Sequence, residues 1–170
     1  MIHGKVHKFG KNIDTDAIIA SKYANLSDPL ELGKHCMENI DPDFGKRVGK
    51  GDIIVATTNF GCGSSREIAP MTIKGAGVAA VVAKSFARIF FRNAINTGLP
   101  LLECAEVVDA SDPGDTLEID LSTGTVRNIT KNLVFSAVPY PEFVTELITA
   151  GGLVESVMKK MNKEGKGPGS

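Results

Sequence analysis

Residues 59–67 read Asn-Phe-Gly-Cys-Gly-Ser-Ser-Arg-Glu. Ser64, Ser65 and Arg66 place two hydroxyls and a guanidinium on consecutive residues. Two glycines ahead of them permit tight turns and close approach of a ligand. The apolar run Ile53-Ile54-Val55-Ala56 precedes the motif and reads as a buried strand, and the segment after it reads as a helix start. Free N–H groups and the helix dipole favour an anion at such a place, so the motif predicts a cradle for a carboxylate or a phosphate. Both nucleotide patterns fail on particular residues. A P-loop needs Lys before its Ser/Thr, and Arg66 stands where the dinucleotide fingerprint needs its third glycine. Arg in a first helical turn opposes the dipole unless an anion lies beside it, and a bidentate Arg–carboxylate pair is its natural use. A structural alternative remains for two residues: Ser64 as N-cap with Glu67 reaching back three residues later is a capping box. That leaves Arg66 unexplained. Pro70 predicts a short or kinked helix after the motif.

Other residues could join the chemistry. Asp14 and Asp16 flank Thr15 and suit either a turn held by side-chain-to-backbone bonds or acid–base work. Cys62 lies inside the glycine loop, where a helix N-terminus would favour its thiolate. No histidine stands near it in sequence to serve as base. Lys84, Arg88 and Arg92 surround the next helix, and the two arginines, four apart, share a face. That face is either solvated or turned toward an acidic ligand. Two further classes stay open from these residues, a carboxylate-binding module without chemistry and a cysteine hydrolase using Cys62.

Composition narrows the field. The chain has 170 residues, enough for one well-cored domain. A net charge of -1, without basic runs, gives no electrostatic case for nucleic acid. No apolar stretch approaches the roughly 18 residues of a membrane span, and residues 1–5 do not read as a signal peptide. Cys36, Cys62 and Cys104 are odd in number and widely spaced, which suggests a reducing compartment. There is no CxxC, and His3, His7 and His35 are not at ligand spacing with the cysteines, so no metal site made by this chain alone is expected. Cys36 and Cys104 read as small apolar residues.

The elements that must position these groups follow an α/β pattern. Residues 4–9 read as a strand, 12–19 as a polar turn entering an apolar stretch, and 21–27 as a polar loop. Asp28, Pro29 and Glu31 form a strong helix start, with Leu30, Cys36, Met37 and Ile40 expected on one helical face. Residues 41–51 read as a polar linker. Three strand–helix alternations follow: strand 52–57 and a helix ending near Gly75 or Gly77, strand 78–83 and a Ser85-capped helix over 86–97, then strand 99–103. The continuous apolar character of the first two strands predicts burial on both faces, as in a parallel sheet. Strict alternation over 116–121 and the return over 125–129 predict an antiparallel hairpin. Residues 141–150 read as a helix, 153–161 as another, and 164–170 as a flexible tail, so that 1–163 form one domain.

Three motifs in register, residues 59–67, Lys84-Ser85-Phe86-Ala87-Arg88-Ile89-Phe90 and Asp14-Thr15-Asp16, resemble the swivelling domain of the aconitase superfamily. Over residues 2–160 the chain resembles the separately encoded small subunits of 3-isopropylmalate dehydratases (isopropylmalate isomerases). The resemblance implies a layered β/β/α swivelling domain with mixed parallel and antiparallel strands. It implies a cytoplasmic hydro-lyase of leucine biosynthesis that isomerises 2-isopropylmalate and 3-isopropylmalate by dehydration and rehydration. Activity would need a large subunit carrying a [4Fe–4S] cluster, and this chain would bind no cofactor or metal. Carried over by position, Ser64 is the general base, Asp16 part of the acid–base network, and Ser65 and Arg66 bind a substrate carboxylate. Tyr23, Ala24 and Leu26 lie in the loop that sets specificity for the substrate's variable group. Family members handling an acidic variable group tend to place an arginine in that loop, and none stands between Ser21 and Leu32, which suits a small alkyl group; Lys22 keeps an acidic one open, so homoaconitate, citramalate and 2,3-dimethylmalate types stay as alternatives.

Overall fold

The computed structural model describes residues 1–64, 66–152, 157–158 and 161. The expected helix over 153–161 and the tail over 164–170 fall largely or wholly outside the described residues, as does Ser65. In chain order the elements are β1 (Ile2–Lys8), α1 (Thr15–Ile18), a 3-10 turn (Ser21–Tyr23), α2 (Pro29–Gly33), α3 (Phe44–Arg47), β2 (Ile53–Val55), α4 (Ile68–Gly75), β3 (Ala80–Ala83), α5 (Arg88–Thr97), β4 (Leu101–Glu103), α6 (Ala105–Ala110), β5 (Thr116–Asp120), β6 (Thr125–Asn128), β7 (Leu133–Ser136) and α7 (Glu142–Thr149).

The strands form one sheet in the order β4-β3-β2-β1-β5-β6-β7. β1 to β4 are parallel, with Val6 opposite Ile53, Ile53 opposite Ala80 and Val81 opposite Leu101. β1, β5, β6 and β7 pair antiparallel. The expected two-faced burial holds: every residue of β2 and β3 is buried. Their side chains alternate between two cores, because successive residues of a strand point to opposite faces. Ile54, Val81 and Ala83 join Ile18, Leu32, Phe44, Ala69, Ile73 and Phe90 on the helical side. Ile53, Val55, Ala80 and Val82 join Val107 and Val108 of α6 with Leu117, Ile119 and Val126 of the antiparallel half. The sheet therefore curls so that its antiparallel strands cover one face of the parallel strands while helices cover the other. This is the expected layered α/β arrangement with mixed strands. Among the described residues no helix is long and apolar enough to cross a membrane.

Several local expectations are corrected. Asp28 caps α2 as foreseen, its carboxylate accepting from the Leu30 N–H at 3.0 Å, but the helix stops at Gly33. Met37 adopts φ +60 and donates its N–H to the Ile18 carbonyl. That tertiary bond turns the chain, so Cys36 and Met37 are buried while Leu30 and Ile40 stay exposed. Residues 41–51 are more than a linker, since α3 seats Phe44 in the core edge-on to the rings of His7 and Phe9. The Ser64–Glu67 capping box does not form: α4 begins at Ile68 and has no side-chain cap. Pro70 then falls in the first turn, where a backbone N–H has no helical partner to lose. Ser85 does not cap α5, which begins at Arg88 after Ala87. Sequence patterning also passed over α6 and β7.

Candidate active site

β1, β2 and β3 run side by side, and the loops leaving their carboxyl ends carry the three motifs. In open α/β sheets this is the edge at which ligands bind. Backbone hydrogen bonds continue from loop to loop beyond the strands. Asn12 donates to Thr58, Gly61 to Ile13 at 2.7 Å, and Thr15 to Cys62 at 2.9 Å. On the other side Phe60 donates to Ser85 and Ala87 to Phe60. The Ser85 hydroxyl, free of any capping duty, accepts the Asn59 N–H at 2.8 Å. The glycine motif is thus held between its two neighbours instead of being wound into a helix.

Gly61 shows why glycine is required there. Its φ is +84, and a Cβ would lie within 2.5 Å of Phe90 Cβ and nearer still to a ring carbon. Phe90 is in turn fixed edge-on against Phe60, with ring centroids 5.4 Å apart. A side chain at 61 would meet both a left-handed backbone and a packed aromatic pair.

The loops enclose a pocket of about 180 Å³ lined by Thr15, Ser64, Arg66, Arg88, Phe90 and Asn93, among others. Ser64 is exposed there, and its carbonyl accepts the Thr15 hydroxyl at 3.0 Å. Arg66 precedes α4, so its charge lies ahead of the first helical turn. Its side chain is only 21% exposed, and Nη2 lies 2.7 Å from Asp16 Oδ1. Nη1 donates to the Ile19 carbonyl at 3.4 Å. Asp16 therefore reaches the pocket through Arg66 and does not line it. Asp14 takes the turn-forming part of its motif, capping α1 by accepting the Ala17 N–H at 2.7 Å. A guanidinium held from one side by a carboxylate keeps its remaining N–H groups for a second carboxylate.

The other candidates lie apart. Tyr23 and Leu26 pack against the helical-side core, and Ala24 is exposed. Tyr23 stacks on His35 with centroids 3.8 Å apart, and His35 Nδ1 lies 2.6 Å from Glu38 Oε2. None of the three lines the Ser64 pocket, although Arg66 touches Ile19, which leads into their loop. Cys62 does not line the pocket. Burial pushes the thiols of Cys36 and Cys104 up, as suits small apolar residues. Lys84 pairs with Asp109 at 2.7 Å. Sequence reasoning missed Asn93 and the part played by Thr15; α5 brings Asn93 to the pocket one helical turn after Ile89.

The model of the aconitase C-terminal domain family matches residues 2–106. The 3-isopropylmalate dehydratase small subunit of Caldicellulosiruptor saccharolyticus is 56% identical, over 95% of this chain and 93% of its own. The 2,3-dimethylmalate dehydratase small subunit of Eubacterium barkeri is 55% identical, over 91% and 94%. The crystal structure of 3-isopropylmalate dehydratase from Methanocaldococcus jannaschii superposes with a TM-score of 0.90 at 46% identity, covering 98% of this chain and 99% of that one. Motifs, topology and relatives agree: the chain belongs to the aconitase C-terminal domain family and stands among its dehydratase small subunits.

Proposed function

We propose that this chain is the small subunit of a two-subunit cytoplasmic hydro-lyase that interconverts 2-isopropylmalate and 3-isopropylmalate in leucine biosynthesis. The observation that carries the reading is the exposed Ser64 in a pocket shared with a carboxylate-held Arg66, in a chain 56% identical to a small subunit of that name. Ser64 takes the proton alpha to a substrate carboxylate. A serine is a weak base at its ordinary pKa, so its alkoxide must be stabilised by the neighbouring guanidinium and by exclusion of water. Arg66 grips the substrate carboxylate, a role that the family resemblance extends to Ser65, and Asp16 keeps the guanidinium in place. Tyr23, Ala24 and Leu26 face the variable alkyl group once the loop closes.

A [4Fe–4S] cluster belongs in this reading to the large subunit. Among the described residues of this chain no three His, Cys, Asp or Glu side chains gather as metal ligands. Its own contribution is to hold the carboxylate, take the proton and cover the site.

The test is reconstitution with a cluster-bearing large subunit. Ser64→Ala should assemble normally and lower turnover by about 10²–10⁴-fold, and near-normal turnover would remove the base assignment. A 2,3-dimethylmalate dehydratase is the second reading, favoured by a relative of that name at almost the same identity, 55%. Kinetics on isopropylmalate, dimethylmalate, citramalate and homoaconitate separate the readings, since an alkyl pocket discriminates one methylene by only about 1–3 kcal/mol.

A further inference from the structure

Beside the Ser64 pocket runs a larger groove of about 950 Å³, and Arg88 and Ile89 line both. α5 supplies one set of lining residues and the segment 138–141, between β7 and α7, another. The second wall is fixed, because the Tyr140 hydroxyl accepts the N–H of Leu101 in β4 at 2.9 Å. The groove is largely apolar, yet Ile89 is 56% exposed and Val138 88%. Exposed apolar side chains gathered in one concavity mark an interaction surface. Arg88 and Arg92 lie one turn apart along it, and neither pairs with a carboxylate among the described residues. Glu103 also lines the groove, so Arg88 and Arg92 leave it with one positive charge in excess in a chain of net charge -1.

We infer that this groove docks the large subunit, through a segment that presents an apolar side chain flanked by carboxylates; the inference rests on the function proposed above, which requires that partner. Three features argue for it. A subunit that closes over Ser64 must cover Arg88 and Ile89, so the groove is continuous with the surface it buries. The arginines, without a carboxylate partner among the described residues, call for acidic groups, which steer association and fix orientation. A second copy of this chain is disfavoured, because a two-fold contact places the same patch on both sides, and each patch offers one carboxylate, Glu103, against two arginines.

The experiment measures the affinity of the full chain for the purified, cluster-loaded large subunit, with light scattering of the chain alone and turnover at saturating partner. Val138→Asp and Arg92→Glu should each weaken association by about tenfold or more. The Arg92→Glu effect should shrink as salt rises, with turnover at saturation near wild type. Leu30→Glu, on an exposed site of α2, should leave affinity unchanged. If Val138→Asp loses its circular dichroism signature, Val138→Ser, at the same groove residue outside the Ser64 pocket, takes its place. Wild-type affinity in both groove variants overturns the inference, and a change in self-association alone assigns the groove to a second copy instead. A wild-type chain that neither binds the large subunit nor supports turnover defeats the proposed function as well. A wild-type chain that does both, beside unaffected variants, defeats only the docking site.

Discussion

Gly61→Ala tests how the glycine motif is held. At φ +84 the left-handed backbone strains an alanine by about 1–2 kcal/mol, partly offset by about 0.4–1 kcal/mol from a stiffer unfolded chain. Gly114 has a similar φ of +87 with nothing within 4 Å of an added Cβ, so Gly114→Ala should show this backbone effect alone, about 1 kcal/mol. Gly61→Ala adds the collision with Phe90, and overpacking of that kind costs about 1–3 kcal/mol. The expected total is about 2–4 kcal/mol, a fall in Tm of about 4–16 °C for a domain of this size. Urea unfolding of the two variants gives the comparison, and a cycle with Phe90→Ala gives the coupling, expected at about 1–3 kcal/mol because the two sites touch. Equal destabilisation by Gly61→Ala and Gly114→Ala, or additivity with Phe90→Ala, would refute the packing argument.

Other perturbations test separate parts of the structure. Arg66→Lys keeps the charge but loses the fork that spans Asp16 and the Ile19 carbonyl; kcat/KM of the reconstituted pair should fall about 10–100-fold, and an unchanged value removes Arg66 from carboxylate binding. Burial pulls the Asp52 carboxyl up, but hydrogen bonds from His7 and from the N–H groups of Gly49 and Lys5 outweigh it and leave it below its usual range. A lowered folded pKa contributes stability that is present above the unfolded value of about 3.9 and lost as pH falls through the folded value. Asp52→Asn should therefore flatten the acid limb of a plot of urea midpoint against pH below about 4, and an identical limb would clear Asp52 of that role. Tyr140→Phe leaves the buried Leu101 N–H without its acceptor, a loss of about 1–3 kcal/mol readable by denaturant unfolding; a variant as stable as wild type refutes the pinning of the 138–141 segment.

The fold was most legible where local pattern and tertiary context agree. The apolar runs that became β2 and β3 are buried on both faces, and only a strand between two covered faces needs such composition. The alternation of β5 and β6 marked the hairpin, and Asp28-Pro29 marked the start of α2. Errors fell where a distant backbone claimed the residues. Ser64 and Glu67 have the spacing of a capping box, but Thr15, Ile13 and Ser85 bind the preceding loop and delay α4 to Ile68. Ser85 has the place of a helix cap but serves Asn59 across 26 residues. Met37 fits a helical stripe until its N–H reaches Ile18. At the site, residue types announced an anion cradle, and Ser64, Arg66 and Arg88 do converge on one pocket. That Asp16 acts on Arg66 and that Tyr23 leans on His35 depends on packing between separate loops, which no local spacing encodes.

The bonds joining the three motif loops bear on what association has to do. Loops that carry function are ordinarily among the first parts of a protein to open, and ordering them on binding consumes part of the interaction energy. Here the amides of Thr15, Phe60, Gly61 and Ala87 are already engaged in sheet-like bonds between neighbours. A ligand or subunit arriving at this edge meets a backbone whose entropy was surrendered on folding. The free energy of encounter is left for the side chains, and the backbone geometry of these three loops exists before anything binds to them.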